Sequence, residues 1–155
     1  LNAGGYVAGA VGNSSIGTAL IPAIFFLVSW GLGFATGTSW GTFGILIPII
    51  VAIFNDVESS MLVISVAACL SGAVCGDHIS PISDTTILSS TGAGCNHLEH
   101  VSTQIPYAVL VAVCSFCGYL VSGFTGIGWF GLIVGFVLLL AALVYLYGKS
   151  KKQTA

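Results

Sequence analysis

Arginine is absent from this sequence and charge of either sign is scarce, with three lysines and five acidic residues in 155 positions. A soluble domain is charged at roughly a quarter of its positions, against 5% here. So few charges cannot cover the surface of a water-soluble fold of this size. The lysines sit together at positions 149, 151 and 152, which leaves no basic stripe and excludes a nucleic-acid footprint. Five cysteines support no disulfide framework. Cys114 and Cys117 form a C-x-x-C inside an apolar run, with no second pair or histidine at zinc spacing, and read as packing residues. No basic stretch followed by a cleavage site opens the chain; it starts at Leu1 and reads as a piece of a longer protein.

What the chain has instead is apolar length. Hydrophobic residues make up 56% of it, and its mean hydropathy is +1.06. The solvent for most of it is therefore the lipid bilayer. Residues 1–15 read as the remnant of a preceding segment. Ile16 to Ala35 is an uncharged run of twenty residues, the length of a membrane-spanning helix at about 1.5 Å per residue. Thr36 to Thr42 is polar and glycine-bearing yet uncharged, and the apolar segment after it, Phe43 to Phe54, is short for a span. Asn55 to Ser60, with Asp56 and Glu58, reads as an aqueous loop. Met61 to Gly76 is rich in Ser, Ala and Gly, which let helix backbones approach closely in lipid, so it is expected inside the bundle.

Thr91 to Gln104, with His97, Glu99 and His100, reads as a second aqueous connection. Residues 105–124 and 126–148 are two further spans separated by almost no loop, and 149–155 is a tail. Trp129, Tyr145 and Tyr147 near the ends of the last span fit interfacial belts, and the terminal lysines place the C-terminus in the cytoplasm. The fold class is all-α and polytopic, with about four to five transmembrane or re-entrant segments, two of them discontinuous (16–54 and 61–91).

The two interruptions carry the chemistry. In hydrocarbon every unpaired backbone group costs several kcal/mol, so non-helical backbone survives only where it is buried in protein or lines a wet cavity. At the second interruption, Pro81 disfavours helix at Ser80, so the preceding helix is expected to end near Asp77. Ser80 as N-cap and Pro81 at the first helical position would then start a half-helix with Asp84 in its first turn. That gathers two carboxylates (Asp77, Asp84), His78 and the hydroxyls of Ser80, Ser83, Thr85 and Thr86 around free backbone. Such oxygen-rich groups suit a hard cation. A carboxylate withdrawn from water is satisfied by a proton or by Na⁺, which is the minimum chemistry for exchange. Placing an ionised Asp at the membrane centre costs roughly 2.5–3.5 kcal/mol, an expense hard to explain by packing.

The first interruption has no ionisable group. Thr38 or Ser39 could cap the short helix, and the hydroxyls of Thr36, Thr38, Ser39 and Thr42 could complete an oxygen site. Plainer readings stay open beside these: a surface loop at Asp77–Thr86 with the aspartates as caps, and a simple helix–helix turn at Thr36–Thr42. Solvated surface positions are expected for Asp56, Glu58, His97, Glu99 and His100.

Ala35-Thr-Gly-Thr-Ser-Trp-Gly-Thr-Phe-Gly-Ile-Leu-Ile-Pro48, Gly76-Asp-His-Ile-Ser-Pro-Ile-Ser-Asp-Thr-Thr86 and His97-Leu-Glu-His-Val-Ser-Thr-Gln-Ile-Pro-Tyr107 together resemble the NhaC-type Na⁺/H⁺ antiporter family over about Ile16 to Gly123. The resemblance implies the C-terminal part of a multi-pass carrier of the cytoplasmic membrane, exchanging Na⁺ for protons. Some relatives couple these ions to malate and lactate or to amino acids. By motif position it implies ion handling by Asp77, His78, Ser80, Ser83, Asp84 and Thr85, with Asp77 and Asp84 as Na⁺ ligands and Thr36, Thr38, Ser39 and Thr42 as a second group. No cofactor is expected beyond Na⁺ and H⁺, and no enzymatic activity. Expected partners are the bilayer and the remaining N-terminal part of the transporter, with a homodimer as an open option. An intramembrane metal-dependent hydrolase built on Asp77, His78 and Asp84 is the alternative from another class, and it lacks an H-E-x-x-H.

Overall fold

The computed structural model describes residues 17–54 and 59–153, and of 150–153 the helical backbone alone. The readings of residues 1–15, of Asp56 and Glu58, and of the last two residues of the tail fall outside these. Every regular element among the described residues is helical. A 3₁₀ turn at Thr18–Leu20 leads into α1 (Ile21–Thr36), followed by α2 (Ser39–Ile53), α3 (Ser60–Ile79), α4 (Asp84–Gly92), α5 (His97–Thr125) and α6 (Gly128–Gln153). Thr18–Thr36, Ser60–Ile79, His97–Thr125 and Gly128–Lys149 are long and apolar enough to cross a membrane, and α2 is a shorter apolar helix. The chain is an all-α polytopic membrane protein.

Several boundaries differ from the sequence reading, each for a local reason. The first interruption shrinks to Gly37 and Thr38. Gly37 takes a left-handed φ of 63°, and the extended Thr38 caps α2 by accepting from the Gly41 N–H at 3.4 Å. The polar Ser39 to Thr42 are thereby helical. At the second interruption α3 runs past Asp77 to Ile79, Ser80 is its C-cap, and Ser83 rather than Ser80 is the N-cap of α4. Pro81 and Ile82 form the turn between them instead of starting a helix.

Most of the expected aqueous connection at Thr91–Gln104 is helix as well. The Asn96 side chain accepts from the N–H groups of Leu98 (3.0 Å) and Glu99 (3.3 Å), and an acidic Glu99 in the first turn suits the helix dipole, so α5 begins at His97. The last helix continues past its candidate span, which ends at Lys149, to Gln153, so the first part of the tail is helical. The near-absent loop before the last span is as expected: Gly126, at φ 70°, closes α5 two residues before α6 begins.

Glycine decides how the helices meet. A Cβ on Gly33 would lie 2.5 Å from the Ala73 carbonyl oxygen, one on Gly72 would strike the Phe26 carbonyl and Ser29 hydroxyl, and one on Gly76 the Trp30 carbonyl. From Phe26 on Gly72 to Trp30 on Gly76 the contacts move four residues along each helix, so α1 and α3 run parallel with their backbones touching. The small-residue helix is therefore the interior one: 56% of its apolar window is buried, against 6% for α6. Helix α2 returns antiparallel, packing Leu46 and Ile50 with Ile21, Phe25, Leu62 and Cys69.

Helix α5 descends against α3. The Tyr119 hydroxyl meets the Ser71 hydroxyl at 2.8 Å and donates to the Ala67 carbonyl at 3.1 Å, while Gly123 packs on Ala19. Helix α6 climbs back along Gly118, Gly131 and Gly135. Its outer face is bare Leu132, Phe136 and Val144, and Trp129, Tyr145 and Tyr147 are exposed near its two ends. Both interruptions, the start of α5 and the C-terminal end of α6 consequently share one end of the bundle. Because α3 has 20 residues, about 30 Å of helix, the second interruption follows a full-length span rather than lying halfway along one.

Candidate functional site

The two interruptions touch. A Cβ on Gly37 would lie 3.0 Å from both the carbonyl carbon and the carbonyl oxygen of Ile82. The parallel glycine seam between α1 and α3 delivers both chain breaks to the same level, and Gly37 lets them close on each other.

On the second interruption the residues divide by burial. Asp77 is 5% exposed, and its Oδ1 has no hydrogen-bond partner among the described residues. Ser80 and Ser83 are fully buried, and Thr86 nearly so. A buried carboxylate oxygen without a donor is costly, commonly 1–3 kcal/mol or about that, unless a proton or cation supplies the missing charge. Around it the backbone is drawn in tightly. The Ser80 N–H donates to the Asp77 carbonyl at 3.1 Å, and the Ser83 N–H to the Ser80 carbonyl at 3.3 Å. The Thr86 hydroxyl donates to the His78 carbonyl at 3.2 Å, tying the first turn of α4 to the last turn of α3. Ser83 and Thr85 share a hydroxyl–hydroxyl bond of 2.7 Å.

Asp84, His78 and Thr85 are exposed, in contrast to Asp77. Asp84 does lie in the first turn of α4, as expected, although that helix starts from Ser83 rather than Ser80, and its Oδ1 accepts from the Thr85 N–H at 2.8 Å. The carboxylate therefore sits on the positive end of a helix dipole. The two aspartates occupy different environments and do not form a symmetric pair.

On the first interruption Ser39 and Thr42 are buried, Thr38 is half-buried and Thr36 is exposed. The protons of two of these hydroxyls go to local backbone. Thr42 donates to the Thr38 carbonyl at 2.9 Å and Thr36 to the Leu32 carbonyl at 2.7 Å. A hydroxyl that has given its proton to a carbonyl keeps its lone pairs, so the arrangement leaves oxygen acceptors rather than donors. Such oxygens match what a hard cation requires. Among the described residues no three of His, Cys, Asp and Glu converge as a metal-ligand set.

His97 is the residue whose position the sequence reading missed. Expected on a solvated loop, it reaches back to the second interruption, with Nε2 2.7 Å from the Pro81 carbonyl and Nδ1 3.0 Å from the Ser90 hydroxyl. Asn96, followed at the right spacing by Glu99, is a helix-start signal that could have placed His97 at the head of α5.

The Na⁺/H⁺ antiporter family model matches residues 2–124. An uncharacterized protein of Haemophilus influenzae is 44% identical over 153 residues, 99% of this chain and 28% of the relative. The malate-2H⁺/Na⁺-lactate antiporter of Bacillus subtilis is 34% identical over 107 residues, 66% of this chain and 23% of the relative. The arginine/ornithine antiporter of Halobacterium salinarum is 35% identical over 108 residues, 67% of this chain and 22% of the relative. The chain thus spans about a quarter of the length of these curated relatives. No solved structure matches it.

Proposed function

The chain belongs to the Na⁺/H⁺ antiporter family, and from that premise we propose that it forms part of a secondary active transporter exchanging Na⁺ for protons by alternating access. The observation that carries the reading is Asp77: buried, with an unpartnered carboxylate oxygen, at a chain break pressed against a second break. Na⁺ and H⁺ are transported or coupling ions, and no further cofactor is needed. Either one neutralises the Asp77 carboxylate, and the two exclude each other there. Ser80, Ser83 and the break carbonyls supply further oxygens, and Ser39 and Thr42 on the other break supply a second group. Asp84, exposed on the dipole of α4, is suited to an approach role, drawing the cation towards the break.

The carrier lies in the cell membrane, with its C-terminus in the cytoplasm on the strength of Lys149, Lys151 and Lys152. Its partners are the bilayer, the remainder of the transporter and, as a homodimer, a second copy. Exchange coupled to an organic solute is the second reading, favoured by the names of the malate–lactate and arginine/ornithine relatives. The chain has no arginine to clamp a carboxylate, and the N-terminal turn of α4 would take that part.

The test uses everted membrane vesicles containing the full-length parent with a preformed proton gradient. Addition of Na⁺ is expected to dissipate the gradient, and Asp77→Asn to slow the dissipation by more than about tenfold while inserting normally. A full-rate response in Asp77→Asn would sink the assignment. Silence towards Na⁺, Li⁺ and K⁺, followed by a response to malate, lactate or arginine, would establish the second reading.

A further inference from the structure

We propose that His97 is a positioning residue for the ion site: it fixes the first turn of α4 against the end of α3 by clamping the Pro81–Ser90 stretch at both ends. The inference rests on the antiport reading above and extends it to a residue outside the two interruptions.

A carbonyl only accepts, so the 2.7 Å contact with Pro81 requires a proton on Nε2 of His97. In the neutral ring Nδ1 is then an acceptor, and the Ser90 hydroxyl 3.0 Å away can donate to it. Ser90 also lies 2.9 Å from the Ile87 carbonyl, but Thr91 donates to that same carbonyl at 2.8 Å, so turning the Ser90 proton to the ring orphans nothing. One tautomer therefore satisfies both ends of the clamp.

The need for a clamp follows from the local chemistry. Pro81 brings no N–H to the turn, and its carbonyl is met by the His97 ring. Helix α4 has nine residues, too few to be stable without tertiary support. Ser83, its N-cap, makes no side-chain capping bond. The Cys95 N–H on the Ser90 carbonyl (3.1 Å) and the Asn96 cap bring the head of α5 round to the far end of α4, where one imidazole then spans back to its near end. Position 97 thereby sets where Ser83, Asp84 and Thr86 stand relative to Asp77.

Two readouts on the full-length parent test this. The first is the alkylation rate of a thiol introduced by Ser83→Cys, a position that is fully buried, in an otherwise cysteine-free protein. The second is the Na⁺ concentration giving half-maximal exchange, separated from the maximal rate. His97→Phe, which keeps a ring but removes both bonds, is expected to raise alkylation and half-saturating Na⁺ by about tenfold each, with the maximal rate held within about twofold. His97→Gln retains a donor and an acceptor at similar reach and is expected to restore both within about threefold. Ser90→Ala, which leaves the ring in place, covers the case in which His97→Phe fails to insert, and is expected to raise both by about threefold. Unchanged alkylation in His97→Phe and Ser90→Ala, or a fall in maximal rate at unchanged half-saturation, overturns the proposal. If the unmodified parent exchanges no cation, the antiport reading fails, and the alkylation readout still decides whether His97 holds the turn.

Discussion

The two interruptions differ in how they are closed. The first closes itself: Gly37 supplies the left-handed residue, Thr38 caps the next helix, and Thr36 and Thr42 return their protons to backbone within four residues. The second adds outside help to the local bonds of its Ser80–Ser83 turn. Its cap residue Ser83 caps nothing through its side chain, Thr86 must reach back to His78, and the Pro81 carbonyl is met by a histidine sixteen residues downstream. A self-closed joint needs no distant partner to hold its shape. A joint held by long-range bonds has alternative arrangements at modest cost, and it is the one that carries the carboxylates. The division matches the proposed exchange, in which the second break is the one that meets the ion.

The largest expected effect breaks the contact on which the comparison stands. In Gly37→Val a β-branched residue would be forced to φ 63° and its Cβ driven to 3.0 Å from the Ile82 backbone. The left-handed conformation costs about 1–2 kcal/mol and the overpacking about 1–3 more, so a total of roughly 3 kcal/mol or above is expected, read as thermal unfolding of the parent in detergent. Gly126 has nearly the same backbone, φ 70°, but open space around it, so Gly126→Ala is expected to cost only about 1 kcal/mol. Equal losses in the two variants would mean that the meeting of the breaks contributes nothing. A smaller effect is expected from Thr38→Ala. Losing its cap on the Gly41 N–H is expected to cost about 1 kcal/mol, with the half-saturating Na⁺ concentration moving by less than about twofold, because Thr38 lies on the break without a carboxylate.

Much of this was legible in the sequence, and the gaps have physical causes. Hydropathic length revealed the spans, and small residues identified α3 as the interior helix, because both signals are local. The cap at Thr38 was readable for the same reason. The boundaries were misplaced where polarity was mistaken for loop. Ser39 to Thr42 and His97 to Gln104 are polar yet helical, because a good cap outweighs composition at a helix start. Proline misled at position 81, where the tight Ser80–Ser83 turn won over a helix start. Burial separates Asp77 from Asp84, and nothing in G-D-H-x-S-P-x-S-D foretells that one carboxylate lies inside and the other outside. The role of His97 was hidden for a related reason: its partners Pro81 and Ser90 are brought to it by chain reversal, which no periodicity encodes.

The smallest expected effect on stability also discriminates most sharply between the two joints. Ser83 and Thr38 are both N-caps, yet only Thr38 makes a side-chain capping bond. Ser83→Ala removes a fully buried hydroxyl whose bond is to the exposed Thr85, and Thr85 can turn to water instead. Its stability loss is therefore expected to be about 0.5 kcal/mol, below that of Thr38→Ala. Its effect on ion handling runs the other way. If Ser83 contributes an oxygen beside Asp77, half-saturating Na⁺ rises by about threefold or more although the fold hardly notices, the mirror image of Thr38→Ala. Thermal unfolding and Na⁺ titration on the same two purified variants check this crossing. Parallel behaviour, with both variants losing stability and Na⁺ affinity in proportion, would make the breaks two versions of one structural turn and remove the ground for assigning the ion to the second.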